Sequence, residues 1–175
     1  SPIAAAVIIL AALFGVLSRK SNDTPRKAPL PQGRARVIKI VDGDTLHLRI
    51  SDAQQHETVR LYGINTPELH ARPGTRKEDF SVEPFAVEAR DYLATLCPPG
   101  SNVSIQHFDR DKYGRLLGVL ILSDGRDANC ALIEEGLARS YFMRKKSDLR
   151  IQYEQAEERA KRSRKGLWRQ PADPR

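Results

Sequence analysis

Three short clusters hold the side chains able to do chemistry: Asp42-Gly43-Asp44-Thr45, then Arg60 with Asn65-Thr66-Pro67-Glu68, then Asp109 to Arg115 (DRDKYGR). Together their residue types answer one physical problem, the hydrolysis of a phosphodiester. That bond is anionic, so an attacking water is repelled, and the transition state gathers further negative charge on the phosphoryl oxygens. A solution needs a hard cation with oxygen ligands, a base to orient or deprotonate water, and rigid cationic donors. Asp44 can supply a metal carboxylate, Asn65 an amide oxygen and Thr66 its backbone carbonyl. Glu68 is the candidate base. Arg60 and Arg115 can each hold two phosphate oxygens, which lysine cannot do equally well. Taken singly, each cluster has a plainer reading. Asp-Gly-Asp is an ordinary hairpin turn, Arg60 a solvated or salt-bridged strand residue, and DKYGR a polar turn. Only their joint occurrence points to chemistry. His47, His56, His70 and His107 are scattered, and none is expected to be a ligand.

The surrounding pattern predicts the elements that position these clusters. ARVIKIV and TLHLRI form two strands meeting at a tight turn around Asp42-Gly43. Strict alternation in Leu46-His47-Leu48-Arg49-Ile50 buries one face and wets the other. TVRLYGI is a third strand, followed by a loop with Pro67, Pro73 and Gly74. Over 82–96, Val82, Phe85, Ala89, Leu93 and Leu96 fall on one helical stripe, stopped by Pro98-Pro99-Gly100. NVSIQHF and RLLGVLIL are strands four and five. A short helix over 127–135 stops at Gly136 in the C′ position. A long helix over 148–165 carries Leu149, Tyr153, Ala156 and Ala160 on one side, and Leu167-Trp168 fold back onto the core. Tyr153 and Trp168 read as core residues, and the basic run Arg159 to Lys165 as a solvated helix face. Five strands with a helix between the third and fourth suit an OB-fold, a five-stranded β-barrel plus three helices (α+β). Fold alone does not give function.

The motifs VDGDT, RLYGINTPE and DKYGR, with EEGLA and KGLW downstream, resemble the thermonuclease family typified by staphylococcal (micrococcal) nuclease. The likeness covers residues 36–169, and it rests on three motifs in this order and spacing. It implies an OB-fold of staphylococcal-nuclease type that cuts DNA or RNA with little sequence preference. It implies Ca²⁺ held by Asp44, Asn65 and the Thr66 carbonyl, Glu68 as base, and Arg60 and Arg115 as phosphate ligands. Lys112 and Tyr113 would lie beside the nucleotide's terminal phosphate. The family's base-stacking tyrosine maps onto Tyr141 or Phe142. One departure is Asn65, where the type enzyme has aspartate. Asparagine keeps the oxygen but removes a charge, so weaker Ca²⁺ binding is expected, with Asp42 able to compensate from nearby.

Outside this region, Pro2 to Leu17 is a 16-residue stretch without a charge or strong polar group. With Ser18 and snorkelling by Arg19 and Lys20 it makes a short membrane span over 2–18. A secretory signal is the rival, but no basic n-region precedes the stretch and no A-x-A-like site follows it. Arg19, Lys20, Arg26 and Lys27 would hold the following domain on the cytoplasmic or organelle-matrix side, with export the alternative. Residues 19–35 read as a basic, proline-containing linker, 36–170 as the catalytic domain and 171–175 as a tail.

The formal net charge is +7, yet residues 37–138 hold 11 basic and 16 acidic groups. A basic total would suggest nucleic acid or anionic lipid, but the acidic middle calls instead for a bound cation. Composition excludes disorder and fibrous repeats, with 40% hydrophobic and 29% charged residues. Cys97 and Cys130 have no metal-ligand spacing. Two other classes compete with a nuclease. One is a scaffold or binding subunit of a membrane complex, favoured by the anchor and by Asn65. The other is an OB module that binds nucleic acid without cutting it.

Overall fold

The computed structural model describes residues 33–50, 55–71, 75–76, 80–142 and 148–169. The anchor segment and most of the linker lie outside them, as do His107 and Phe108 side chains. Among the described residues no helix is long and apolar enough to cross a membrane.

Five strands close a barrel in the order β1 (Gly33–Asp42), β2 (Thr45–Ile50), β3 (Gln55–Leu61), β6 (Leu116–Ile121), β5 (Asn102–Arg110), with β5 returning to β1. All neighbours are antiparallel except β3 and β6, which run parallel with Arg60 opposite Leu117. A second, two-stranded sheet pairs β4 (Ile64–Asn65) with β7 (Arg139–Ser140). The helices are α1 (Ala86–Leu96), α2 (Ala128–Glu134) and α3 (Asp148–Arg162), followed by a 3-10 turn over Gly166–Trp168. This is the expected β-barrel plus three helices.

Alternation in β2 puts Leu46, Leu48 and Ile50 in the core, where Val37, Val59, Leu61, Ile105, Leu116 and Leu120 meet them. Tyr153, Ala156 and Ala160 bury one stripe of α3 as the spacing requires. The Tyr153 hydroxyl donates to Asp127 Oδ2 at 2.8 Å, and Asp127 Oδ1 caps α2 by accepting from Cys130 N at 3.0 Å. Burial pushes the Asp127 carboxyl up. Asn129, fully buried, accepts from Leu120 N and donates to the carbonyls of Tyr62 and Gly118, stitching α2 to the parallel seam. Both cysteines are buried free thiols, and burial raises Cys97 to about 12 and Cys130 to about 11.

Several boundaries differ from the sequence reading. β1 already begins at Gly33, and its first residues pair with β5. β3 starts at Gln55 and ends at Leu61, because the turn at Tyr62-Gly63, with Gly63 at φ 77°, splits off β4. α1 starts at Ala86 rather than 82: Pro84 disfavours a helical residue before it, and Phe85 is left-handed at φ 69°. Val82 is accordingly exposed and off the stripe. α3 stops at Arg162, ahead of the left-handed Arg164. Trp168 is half-buried, its ring lying 4.6 Å from the Arg139 guanidinium and 4.9 Å from Lys161 Nζ. The basic run beside it is a surface face: Arg159, Lys161 and Lys165 pair with Glu134, Glu158 and Glu135.

Gly136 follows α2 at φ 71°, and an added Cβ would sit 2.3 Å from the Lys165 carbonyl oxygen. Gly136→Ala therefore meets both the left-handed penalty of about 1–2 kcal/mol and a backbone clash. We expect a loss of at least about 2 kcal/mol in urea unfolding. A loss below about half a kcal/mol would mean that the 165–167 turn moves aside freely.

Candidate active site

The hairpin turn between β1 and β2 carries the acids. Asp42 ends β1, with Oδ1 accepting from Gly43 N at 2.8 Å and Oδ2 from Leu69 N at 3.4 Å. Asp44, 6% exposed, accepts from Thr45 Oγ1 at 3.0 Å and from Thr66 N at 3.2 Å. The 66–69 segment is thus hung on two turn carboxylates by backbone amides. Gly43 separates the two acids for a steric reason. A Cβ there would lie 2.7 Å from Ala89 Cβ on α1 and 2.8 Å from Thr66 Oγ1.

β2–β3 pairing sets Thr45 opposite Arg60 and so brings Arg60 to the same turn. Its guanidinium forms an ion pair with Asp44 and donates from Nη2 to Asn65 Oδ1 at 2.8 Å. Asn65 Nδ2 in turn donates to the Thr66 carbonyl at 3.4 Å. The three proposed oxygen ligands therefore belong to one bonded cluster, and two of them share a single positive charge. A carboxylate, an amide oxygen and a peptide carbonyl form a hard donor set, suited to Ca²⁺ rather than to a thiolate-seeking metal. Among the described residues there is no group of three or more His, Cys, Asp or Glu able to hold a metal. The candidate set fits that statement, because only one of its three oxygens is a carboxylate.

The DKYGR turn supplies the second guanidinium. Asp111 organises it, Oδ1 accepting from Tyr113 N at 2.9 Å and Arg115 N at 3.0 Å, and Oδ2 from Arg115 Nε at 2.7 Å. That contact orients Arg115 through Nε and leaves its terminal nitrogens for another anion. Arg110 braces the turn from behind, donating to the Gly114 carbonyl and, bidentately at 2.8 Å, to buried Glu57 on β3. The Glu57 hydrogen bonds raise the Arg110 guanidinium above its ordinary value.

Asp44, Arg60, Asn65, Glu68, Tyr113 and Arg115 all line one open cleft of about 560 Å³, together with Asp42 and Tyr141. Thr66 is buried behind it, and Lys112 lies off its wall, 4.9 Å above the Tyr113 ring. His70 also lines the cleft, its Nδ1 3.7 Å from Asp42 Oδ2. Tyr141 and Phe142 follow the small sheet and face different surroundings. β4–β7 pairing and the Tyr141 N to Gly63 O bond of 2.8 Å set exposed Tyr141 at the cleft. Phe142 packs inward, edge-on to Tyr62 at 5.5 Å and beside Tyr153 at 5.8 Å. Nothing local in the sequence distinguishes the side chains of Glu57 and Asn129 from surface polar groups, or tells that Arg110, within DRDKYGR, pairs with Glu57.

A closed five-stranded barrel with helices, bearing acids and guanidinium groups on one rim, defines a nuclease-like OB domain. The family model described as "Staphylococcal nuclease homologue" matches residues 58–170, and the chain belongs to that family. It is 32% identical over 168 residues to "Thermonuclease" of Staphylococcus intermedius, covering 93% of this chain and 95% of that protein. To "Thermonuclease" of Staphylococcus hyicus it is 32% identical over 135 residues, 76% of this chain and 74% of that one. "Endonuclease YhcR" of Bacillus subtilis is 31% identical over 167 residues, 89% of this chain but only 14% of that longer protein.

Gly43→Ala is expected to displace Thr66 or Ala89 and to lower stability by about 1–3 kcal/mol, measured by urea unfolding. Wild-type stability together with an unmoved Thr66 amide resonance would show that the turn tolerates a side chain.

Proposed function

We propose that this protein is a Ca²⁺-dependent nuclease that hydrolyses phosphodiester bonds of DNA or RNA with low sequence specificity. The observation that carries this reading is the gathering of Asp44, Arg60, Asn65, Glu68 and Arg115, from separate elements, around one open cleft. Asp44, Asn65 and the Thr66 carbonyl are the oxygens for the cation, which when bound would neutralise phosphate charge and polarise the attacking water. Glu68 takes the proton of that water as general base. Arg60 and Arg115 hold non-bridging phosphate oxygens, where the negative charge grows in the transition state. Tyr113 and Tyr141 give the cleft two exposed rings on which sugar or base can rest. Arg60 holds the same two side-chain oxygens that a cation would need. Cation binding therefore competes with this ion pair. We further propose that residues 2–18 anchor the domain to a membrane, supported by their apolar run and basic flank.

The full chain in detergent should cut single-stranded DNA with Ca²⁺ and stop with EGTA. Glu68→Gln should lower kcat by about 10²–10⁴ and Arg115→Ala by about 10²–10³. Calorimetry should find Ca²⁺ bound several-fold tighter by Asn65→Asp, and no more weakly by Arg60→Gln. Absence of cleavage at every Ca²⁺ concentration would turn the reading to a binding or scaffold subunit. Calcium-dependent cleavage surviving both Glu68→Gln and Arg115→Ala would remove those residues from the mechanism. For the anchor, the full chain should stay with membranes after an alkaline carbonate wash, and release of the intact chain would sink that proposal.

A further inference from the structure

Glu68 stands on a segment without regular secondary structure between β4 and α1. Loops carry more motion than the strands that flank them, whereas a general base must meet its water within a fraction of an ångström. Something has to fix the backbone at this position. Its amide donates to the Glu83 carboxylate, Oε2, at 3.1 Å, and its carbonyl accepts from Glu83 N at 3.1 Å. Two hydrogen bonds therefore tie position 68 to a single residue fifteen places along the chain. The next amide, Leu69 N, is the one held by Asp42 Oδ2.

Glu83 is itself fixed. Its carbonyl accepts from Ala86 N at 3.1 Å in the turn that opens α1, and α1 is seated in the core through Ala86, Ala89 and Leu93. The left-handed Phe85, partly buried against that core, completes the turn. A rigid helix start thus reaches the loop through one carboxylate. Glu83 lies outside the set of residues that line the cleft. A carboxylate oxygen accepting from this peptide N–H fixes the direction of the peptide plane, with the bond itself facing solvent.

We infer that Glu83 is a positioning residue for Glu68, its carboxylate and backbone N–H clamping the peptide that carries the base. The inference rests on the reading of Glu68 as general base, and its test separates the two. Asp42 holds the neighbouring amide too, but it lies in the cleft beside Asp44, so Glu83 is the cleaner probe.

The experiment compares wild type, Glu83→Ala, Glu83→Gln and Glu68→Gln as full-length chains, using single-stranded DNA, Ca²⁺ calorimetry, thermal melts and amide hydrogen exchange. For Glu83→Ala, kcat should fall about 10- to 100-fold while KM and Ca²⁺ affinity stay within about twofold of wild type. Exchange over residues 66–71 should quicken by about tenfold or more with the barrel strands unchanged. Glu83→Gln keeps an acceptor oxygen and should recover most of both. Wild-type kcat and exchange in Glu83→Ala would overturn the inference. Equal damage from Glu83→Gln would too, since then charge and not the clamp matters. If Glu68→Gln cuts as wild type does, the base assignment fails, while exchange at 66–71 still decides whether Glu83 holds the loop.

Discussion

The parallel pairing of β3 with β6 is the constraint on which the rest depends. It closes the barrel, and it is the one seam between strands far apart in the chain that run the same way. With Val59 opposite Leu116, the strand bearing Arg60 lies beside the strand that begins just after Arg115. Two guanidinium groups separated by 55 positions in sequence then share a rim. The seam is reinforced by polar groups buried with full partners: Asn129 bridges to Leu120, Gly118 and Tyr62, and Tyr62 N donates to the Gly118 carbonyl. A buried amide so satisfied is rigid, because every alternative arrangement leaves an unpaired donor or acceptor in an apolar setting.

On that frame the site is held mostly by backbone hydrogen bonds to carboxylates. Asp42, Asp44, Asp111 and Glu83 each accept at least one peptide N–H from a loop or turn beside the cleft. This explains how a domain whose central stretch is net acidic can serve an anionic polymer. Asp42 and Asp44 are buried acceptors of backbone amides, and buried Glu57 is matched by Arg110. The positive charge left at the rim belongs to side chains oriented by these acids. Neutralising a phosphate in such a place is local work, and the overall charge of the chain says little about it.

Arg60, Asp44 and Asn65 form one polar cluster at the rim of the barrel. Arg60 is engaged with Asp44 and Asn65, both largely removed from water, where an unpaired carboxylate would be costly. The same oxygens suit a divalent ion.

Sequence alone settled what is local. Alternating apolar residues in β2, the 3.6-residue stripe of α3 and the Gly136 stop each follow from short-range sterics and burial, and the structure keeps them. The three clusters were legible because their residue types, taken jointly, suit one anionic chemistry, although several of the acids also hold turn amides. What failed locally was also local in cause: Pro84 and the left-handed Phe85 cut four residues from α1, and Gly63 divided the third strand. Tertiary structure decided everything that depends on register between distant segments. Only contacts with distant segments tell Tyr141 from Phe142: the Tyr141 N–H, just past β7, donates to the Gly63 carbonyl, while Phe142 packs against Tyr62 and Tyr153. Likewise the roles of Asn129, Glu57 and Glu83 exist only through partners many positions away, and no spacing along the chain encodes a hydrogen bond between them.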